Sequence, residues 1–114
     1  MLASRYRFHS RGGVRATYQR GKSIRTAMMA LVFASNDRGY QRFAVVVSKK
    51  VLKSAVGRNR IRRRVYEAIR LELLEFETKQ DSLFVIYSRA VINMPFGELR
   101  AMVHELLERS LIEG

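Results

Sequence analysis

Cationic side chains are most concentrated in this sequence at residues 48–64. The run contains no acid and carries Lys49, Lys50, Lys53, Arg58, Arg60, Arg62, Arg63 and Arg64. Arginine predominates from residue 58 onward, and its planar guanidinium group can bind a phosphate through two parallel hydrogen bonds. Asn59 lies among the arginines and can both donate and accept at a base edge or a sugar hydroxyl. The run therefore indicates a surface that binds phosphates and bases.

An isolated cluster of lysine and arginine more often forms a solvated face or a targeting patch. Here the run leads into a predicted helix at residues 58–78, whose apolar residues recur on one face: Ile61, Val65, Ala68, Ile69, Leu73 and Phe76. Asn59, Arg62 and Tyr66 line one flank of that stripe. Because the helix fastens the arginines to a buried element, the pattern favours a rigid RNA-binding surface over a mobile tail.

Aromatic residues accompany basic ones elsewhere in the chain. Tyr6 and Phe8 alternate with arginines in a basic arm at residues 1–11, and Tyr18 and Tyr66 also lie near basic residues. Such rings can stack on single-stranded bases, although each taken alone is more often a core residue. The arm itself is either loosely ordered or docked as a strand or turn.

Groups that could catalyse a reaction are not clustered in the sequence. His9 and His104 lie near opposite ends, and His104 falls on a predicted amphipathic helix, where a surface or hydrogen-bonded histidine is expected. There is no glycine-rich phosphate loop, no metal-ligand spacing and no nucleophile with a plausible base. The sequence therefore predicts no catalytic site and no metal site within the protein itself.

The charge of the chain is distributed unevenly. Of its formal net charge of +12, residues 1–66 hold seventeen lysines or arginines and the single acid Asp37, whereas residues 67–114 hold five basic residues and nine acids. This asymmetry predicts one strongly positive side and a polyanionic partner. The absence of cysteine excludes disulfides, and no apolar run is long enough for a membrane span. A cytoplasmic protein without a secretory signal is expected.

The remaining elements can be placed from periodicity and turn residues. A short helix is predicted at residues 13–20, with Gly21 ending it in a left-handed conformation. Residues 24–34 and 41–47 read as two strands of a hairpin across the turn at residues 36–39, the second being a central strand. Residues 48–57 connect to the long helix.

The C-terminal part continues with a strand at residues 81–89 and a short strand or loop at residues 90–94. The last helix starts at Phe96 or Gly97 and runs to Ile112, with Leu99, Met102, Val103, Leu106 and Leu107 facing inward. The fold class is α/β: a single compact domain over residues 1–114, with a small mixed sheet, helices packed on it and the order α-β-β-α-β-(β)-α.

The basic run and the strand before it resemble a known family. Three consecutive features are similar to the signature of the bacterial ribonuclease P protein component. They are a valine-rich strand at residues 44–47, then Ser48-Lys49-Lys50, then Arg58-Asn59-Arg60-Ile61-Arg62-Arg63. Residues 13–21 resemble that family's first helix with its closing glycine, and residues 84–90 resemble the strand after its long helix. The resemblance extends over nearly the whole chain.

The resemblance implies a left-handed βαβ crossover and a role as the non-catalytic protein subunit of an endoribonuclease. Such a subunit binds a catalytic RNA and the 5′ leader of precursor tRNA, and leader hydrolysis takes place at Mg²⁺ ions held mainly by the RNA, with none bound tightly by the protein alone. Weak self-association is expected when RNA is absent. By position, the RNA-binding residues are Lys49, Lys50, Lys53, Arg58, Asn59, Arg60, Arg62 and Arg63. The leader cleft comprises Val14, Tyr18, Met28, Ala30, Asn59, Arg62 and Tyr66.

The sequence departs from the family pattern at three places. Gly13 and Val14 stand where an acid and a phenylalanine are usual, and Tyr66 stands where a basic residue is common. The loop at residues 51–57 is one residue longer than in many members. Composition alone leaves open a ribosomal or ribosome-assembly protein that binds ribosomal RNA. A DNA-binding module is a weaker alternative, because the long helix lacks the preceding short helix of a helix-turn-helix.

Overall fold

The centre of the fold is a mixed sheet of four strands. A computed structural model describes residues 6–7, 11–36, 40–73 and 80–113 of the chain. In chain order the strands are β1 (Lys22–Arg25), β2 (Met29–Ser35), β3 (Arg42–Val47) and β4 (Gln80–Ile86). They lie side by side in the order β1-β2-β4-β3, with β2 antiparallel to β1 and β4, and β3 parallel to β4.

Helices cover the two faces of this sheet unequally. The helical elements within the described ranges are α1 (Arg11–Arg20), α2 (Ala55–Glu72), a 3₁₀ helix (Arg89–Ile92) and α3 (Phe96–Glu113). α1 packs on one face, whereas α2 and α3 pack together on the other. Because α2 joins the parallel neighbours β3 and β4, these elements form a βαβ unit. The predicted α/β class, with helices packed on a small mixed sheet, is confirmed.

The larger core lies between the sheet and the pair α2 and α3. Alternate strand residues point into it because side chains alternate between the faces of a strand. Its largest fully buried side chains include Phe43, Phe84, Met29, Leu31, Ile61, Ile69, Leu99 and Leu106. On the opposite face, Val32, Ala44 and Leu83 form a smaller cluster on which Val14 of α1 packs. The inward face predicted for α2 is confirmed over the described residues, and Phe76 lies outside them.

The hairpin predicted between residues 24–34 and 41–47 is wrong. β4 lies between β2 and β3, so β3 is an edge strand of the sheet and not a central one. Residues 24–34 are also not one strand, because a turn at Thr26 separates β1 from β2. The Thr26 Oγ1 donates to the carbonyl oxygen of Met29 (3.1 Å) and accepts from the Met29 N–H (3.3 Å), which closes a tight β1–β2 hairpin.

α2 begins at Ala55, so the predicted start at Arg58 is wrong. Ser54 is the N-cap: its backbone is extended and its hydroxyl accepts a hydrogen bond from the Gly57 N–H at 3.1 Å. Gly57 therefore belongs to the helix and not to the loop. A Cβ at this position would lie 2.5 Å from Cδ2 of Leu52, so glycine permits the loop to pack closely against the first turn. The predicted extension to residue 78 falls partly on residues outside the described ranges.

Gly21 follows α1 as predicted, but for a different reason. Its φ is not in the left-handed region. A Cβ there would lie 2.5 Å from the Thr17 carbonyl oxygen and 2.8 Å from Cγ1 of Val32, so the close approach of α1 to β2 requires glycine. At the other end of the chain, residues 90–94 form neither strand nor open loop but mostly the 3₁₀ helix. α3 begins at Phe96, which is one of the two predicted starting residues.

Candidate nucleic-acid interface

The N-terminal end of α2 is the most cationic place in the described structure. The loop before it exposes Lys49, Lys50 and Lys53, and the first turn of the helix contains no acid. The Ser54 cap satisfies the Gly57 N–H, whereas the N–H groups of Ala55 and Val56 precede the first intrahelical hydrogen bond. The positive end of the helix dipole therefore coincides with the lysines, an arrangement that favours a bound anion.

Arg58 connects this loop to the helix. Its Nη1 donates to the carbonyl oxygens of Leu52 (3.0 Å) and Lys53 (2.8 Å). The loop is also turned on itself, since the Val51 N–H donates to the Ser48 carbonyl oxygen at 3.1 Å. Arg58 thus holds the lysine-bearing loop in place. Its side chain is only half-buried, so part of it can still meet a phosphate.

The next two turns of α2 present the remaining predicted RNA-binding residues. Asn59, Arg60 and Arg63 are exposed, and Arg62 is half-buried. Within the described residues, no carboxylate forms an ion pair with any of these arginines. Their charges are therefore not neutralised by the part of the chain that the structure describes. The structure brings Lys49, Lys50, Lys53, Arg58, Asn59, Arg60, Arg62 and Arg63 to one end of one helix.

Acids appear on α2 only beyond this surface. Glu67 and Arg70 form an exposed ion pair, with Nε of Arg70 at 3.1 Å from both carboxylate oxygens. Hydrogen bonding from Arg70 lowers the pKa of Glu67 to about 2. The pair marks the end of the uncompensated positive surface.

Arg64 is in the basic run but does not contribute to this surface. Its Nη1 donates to the carbonyl oxygens of Val91 (2.6 Å) and Ile92 (3.0 Å), and its Nη2 donates to that of Met94. One guanidinium group therefore holds the 3₁₀ helix and the following turn against α2. Residue type does not distinguish Arg64 from Arg63. The family resemblance placed only Arg63 among the RNA-binding residues, and the structure gives the reason: the Arg64 guanidinium group is hydrogen-bonded to carbonyl oxygens.

Tyr66 is buried beneath the edge strand. Its hydroxyl accepts a hydrogen bond from the Val45 N–H at 3.3 Å, and the Arg7 guanidinium carbon lies 5.8 Å from its ring centroid. Burial raises the pKa of Tyr66, and the Val45 hydrogen bond and the charges of Arg7 and Arg62 only partly offset that rise. Tyr66 is therefore a core residue whose buried hydroxyl is hydrogen-bonded to β3 and lies close enough to Arg62 to feel its charge.

The residues predicted to line a leader cleft do not share one surface. Val14 and Tyr18 lie on α1, on the sheet face with the smaller core, and Tyr18 is 46% exposed. Asn59, Arg62 and Tyr66 belong to α2, which packs on the opposite face. Ala30 has no exposed surface, and Met28 packs against the larger core.

Between α1 and the edge of the sheet, the α1 face is formed by β4 and β3. Val85 and Val46 are paired neighbours there in β4 and β3, and both remain partly exposed. α2 packs against β3 from the opposite face of the sheet. Along this edge, Arg7 forms a parallel bridge to Phe43. Phe8 and His9 of the predicted basic arm lie outside the described residues.

Two exposed residues of the α1 face escaped the sequence analysis. Tyr87 directly follows β4 and is 42% exposed, and Cζ of Arg25 lies 4.8 Å from its ring centroid. Burial first, and then the proximity of Tyr87, raises the pKa of Tyr18, which places the two tyrosines near each other. The alternation of Leu83, Val85 and Tyr87 could have placed Tyr87 on the same sheet face as the other two. Its contact with Arg25 could not have been predicted, because Arg25 is distant in sequence.

The described residues hold no group of three or more histidine, aspartate or glutamate side chains that could bind a metal ion. In the same ranges, no helix is long and apolar enough to cross a bilayer.

Comparison with known proteins gives consistent results. A family model described as Ribonuclease P matches residues 2–111. The Ribonuclease P protein component of Roseiflexus castenholzii is 38% identical over 102 residues, which cover 85% of this chain and 83% of that protein. The protein of the same name from Clostridium kluyveri is 34% identical over 107 residues, covering 92% and 94% respectively.

Solved structures show the same fold. The RNase P protein from Thermotoga maritima superposes with a TM-score of 0.81 at 24% identity, covering 90% of this chain and 96% of that one. The RNase P protein of Staphylococcus aureus gives a TM-score of 0.79 at 20% identity, covering 92% and 94%.

Proposed function

The chain belongs to the ribonuclease P protein component family, and from that premise we propose that it binds the catalytic RNA of ribonuclease P and the 5′ leader of precursor tRNA. It acts as the non-catalytic subunit of this cytoplasmic endoribonuclease and assists removal of the leader. Family membership favours this function over the ribosomal alternative that composition left open. The observation that carries the proposal is the set of exposed arginines on α2, which no described carboxylate neutralises.

The catalytic RNA binds the N-terminal end of α2. Arg60 and Arg63 contact phosphates from the exposed face of the helix, and Lys49, Lys50 and Lys53 extend the same surface. The free N–H groups of the first helical turn add donors for a phosphate. Asn59 contacts a base edge or a 2′-hydroxyl, which gives a fixed register to contacts that would otherwise be purely ionic.

Helix α2 supports this role because it is held on several sides. Ile61, Val65 and Ile69 are fully buried against the sheet and α3. Arg64 fixes the 3₁₀ helix to α2, and Arg58 fixes the lysine loop. The backbone that carries the cations is thus fixed before RNA binds, so less conformational entropy is lost on binding.

The leader lies along the α1 face. Tyr18 offers an exposed ring for stacking, and Val85 and Val46 provide a partly exposed apolar floor. The leader then passes around the β3 edge toward Arg62, while Tyr66 supports β3 from the core side through its hydrogen bond to Val45. Ala30, being fully buried, supports the floor without touching RNA. Mg²⁺ held by the RNA supplies the hydrolytic chemistry, and the protein acts by binding and positioning.

Reconstitution tests this function. The protein is mixed with a bacterial ribonuclease P RNA, and cleavage of a precursor tRNA is followed at low Mg²⁺ concentration. The wild-type protein is expected to make 5′-leader removal faster than with RNA alone. The Arg60→Ala variant is expected to stimulate leader removal less than the wild-type protein does. Arg70→Ala is the matched control, because it removes the same charge from the same helix at a site already paired with Glu67. Absence of any stimulation by the wild-type protein would refute the proposal.

A further inference from the structure

Tyr87, Arg25 and Tyr18 form an exposed cluster, here called the aromatic cluster, at one end of the α1 face. Tyr87 and Tyr18 are 42% and 46% exposed. The guanidinium carbon of Arg25 lies 4.8 Å from the Tyr87 ring centroid, a cation–π arrangement. The core does not need these rings, so their exposure calls for another explanation.

The cluster is held in place through its backbone. The Tyr87 N–H donates to the carbonyl oxygen of Met28 at 2.8 Å, which continues the β2–β4 ladder by one residue. Arg25 ends β1, and its carbonyl oxygen accepts a hydrogen bond from Nη1 of Arg109 at 3.3 Å. Tyr18 lies one helical turn after Val14, which packs on the sheet. The rings are therefore fixed by elements of regular structure while their faces remain accessible.

The chemistry of this cluster suits a nucleobase. Arg25 lies over the Tyr87 ring and Tyr87 is 42% exposed, so part of this side chain is accessible to a base. Base stacking on tyrosine or on a guanidinium plane is a common mode of single-stranded RNA recognition and tolerates any base. The surroundings are cationic, since residues 11–36 include Arg15, Arg20 and Lys22 and no acid. An apolar peptide would gain little from this charge, whereas RNA would be attracted by it.

We propose that Tyr87, braced by Arg25 and flanked by Tyr18, is a stacking site for one nucleobase of the single-stranded leader. This inference rests on the proposed function and extends it by naming the residue that binds a leader base. The rise in the pKa of Tyr18 caused in part by Tyr87 agrees with their closeness. The neighbouring apolar floor at Val85 and Val46 carries the leader from this site toward the β3 edge.

The test compares three substitutions of Tyr87 in the reconstituted holoenzyme. Tyr87→Phe keeps the ring, Tyr87→Leu keeps apolar bulk without aromaticity, and Tyr87→Ala removes both. Affinity is measured for a precursor tRNA with a single-stranded leader and for the mature tRNA. Loss of one stacked base lowers precursor affinity on the order of tenfold in Tyr87→Ala and several-fold in Tyr87→Leu. Tyr87→Phe stays near wild type, and mature tRNA binds equally well to all.

A leader series with single abasic nucleotides identifies the contact. With wild-type protein one abasic position weakens binding more than its neighbours, and with Tyr87→Ala the same position causes no further loss. Arg25→Gln should also reduce the loss of affinity that this abasic position causes, but by less than Tyr87→Ala does. Equal losses for precursor and mature tRNA, or additive losses at that position, would overturn the stacking site.

The outcomes separate this inference from the function on which it rests. If wild-type protein fails to stimulate leader cleavage, the proposed function itself is refuted. If wild-type protein stimulates cleavage and Tyr87→Ala and Tyr87→Leu bind precursor tRNA like wild type, only the stacking site is refuted. Thermal unfolding of each variant shows whether the fold is kept, and Tyr87→Leu decides the question if Tyr87→Ala does not fold.

Discussion

Replacing Glu72 with glutamine should destabilise the fold at neutral pH but not at acidic pH. Glu72 is the last residue of α2, and its side chain is only 3% exposed. One carboxylate oxygen accepts from Nε of Arg100 and the other is bonded to Nδ1 of His104, each at 2.8 Å. His104 is thus a hydrogen-bonded histidine on α3, as the sequence analysis expected. The three side chains link α3 to α2, the helix that carries the proposed RNA-binding surface.

The magnitude follows from the exposure of the partners. Burial opposes the charged form of Glu72, but the hydrogen bonds from Arg100 and His104 outweigh it and lower its pKa below 4.5. Removing one member of a fully buried pair costs roughly 3–5 kcal/mol. Here Arg100 and His104 are 41% and 38% exposed, so water can solvate them after the change. Glutamine also retains neutral hydrogen bonds, so a loss of about 1–2 kcal/mol is expected.

Reversible urea unfolding at a series of pH values provides the assay. Because folding lowers the pKa of Glu72, its charged form stabilises the protein above pH 4.5, and this contribution disappears as the pH falls through the lowered value. The difference between wild type and Glu72→Gln should therefore be about 1–2 kcal/mol at pH 7, or roughly 4–8 °C in Tm, and should vanish at the lowest pH. Glu105→Gln, an exposed site on α3, serves as control. A pH-independent difference would refute the electrostatic reasoning.

Four further substitutions test other parts of the structure. Arg58→Ala and Arg60→Ala should both weaken RNA binding. Only Arg58→Ala should also lower the urea midpoint, because the guanidinium group of Arg58 donates hydrogen bonds to two loop carbonyl oxygens. Equal urea midpoints in the two variants would contradict this. Ser54→Ala removes the N-cap of α2 and should cost about 1 kcal/mol in thermal unfolding, whereas an unchanged Tm would show that the cap is dispensable. Tyr18→Ala should weaken binding of precursor tRNA more than of mature tRNA, and equal losses would remove Tyr18 from the leader surface.

Local patterns predicted the helices well. The apolar stripe Ile61, Val65 and Ile69 identified the inner face of α2, and the stripe of α3 was equally clear, because a helix is stabilised along its own length by residues close in sequence. The basic signature located the exposed cations for the same reason. The start of α2 was misplaced because Gly57 resembles a loop residue until its contact with Leu52 is known.

Sheet order could not be predicted from the same patterns. β4 pairs with β2 and with β3 although 45 residues separate Asn36 from Asp81, whose side chains are hydrogen-bonded at 2.8 Å. Asp81 also binds Nε and Nη2 of Arg42 at 2.9 and 2.8 Å, a buried pair that fixes β3 beside β4. Such contacts depend on the closed fold, so a short turn between two apolar runs wrongly suggested a hairpin.

The different roles of neighbouring arginines do not follow from residue type alone. Arg63 and Arg64 are adjacent and chemically identical, yet one is exposed and the other binds carbonyl groups of the 3₁₀ helix. Likewise, Tyr87 looked like an ordinary strand residue, and its pairing with Arg25 requires β1 and β4 to flank β2. Side-chain roles of this kind are decided by tertiary neighbours.

The most direct measurement is the salt dependence of binding between the protein and a bacterial ribonuclease P RNA. The logarithm of the affinity is plotted against the logarithm of salt concentration for wild type, the double variant Arg60→Ala with Arg63→Ala, and Arg70→Ala. If the exposed arginines of α2 contact phosphates, the slope of the double variant should be shallower by about 1.4–1.8, whereas Arg70→Ala should keep the wild-type slope. An unchanged slope in the double variant would contradict phosphate binding by this helix.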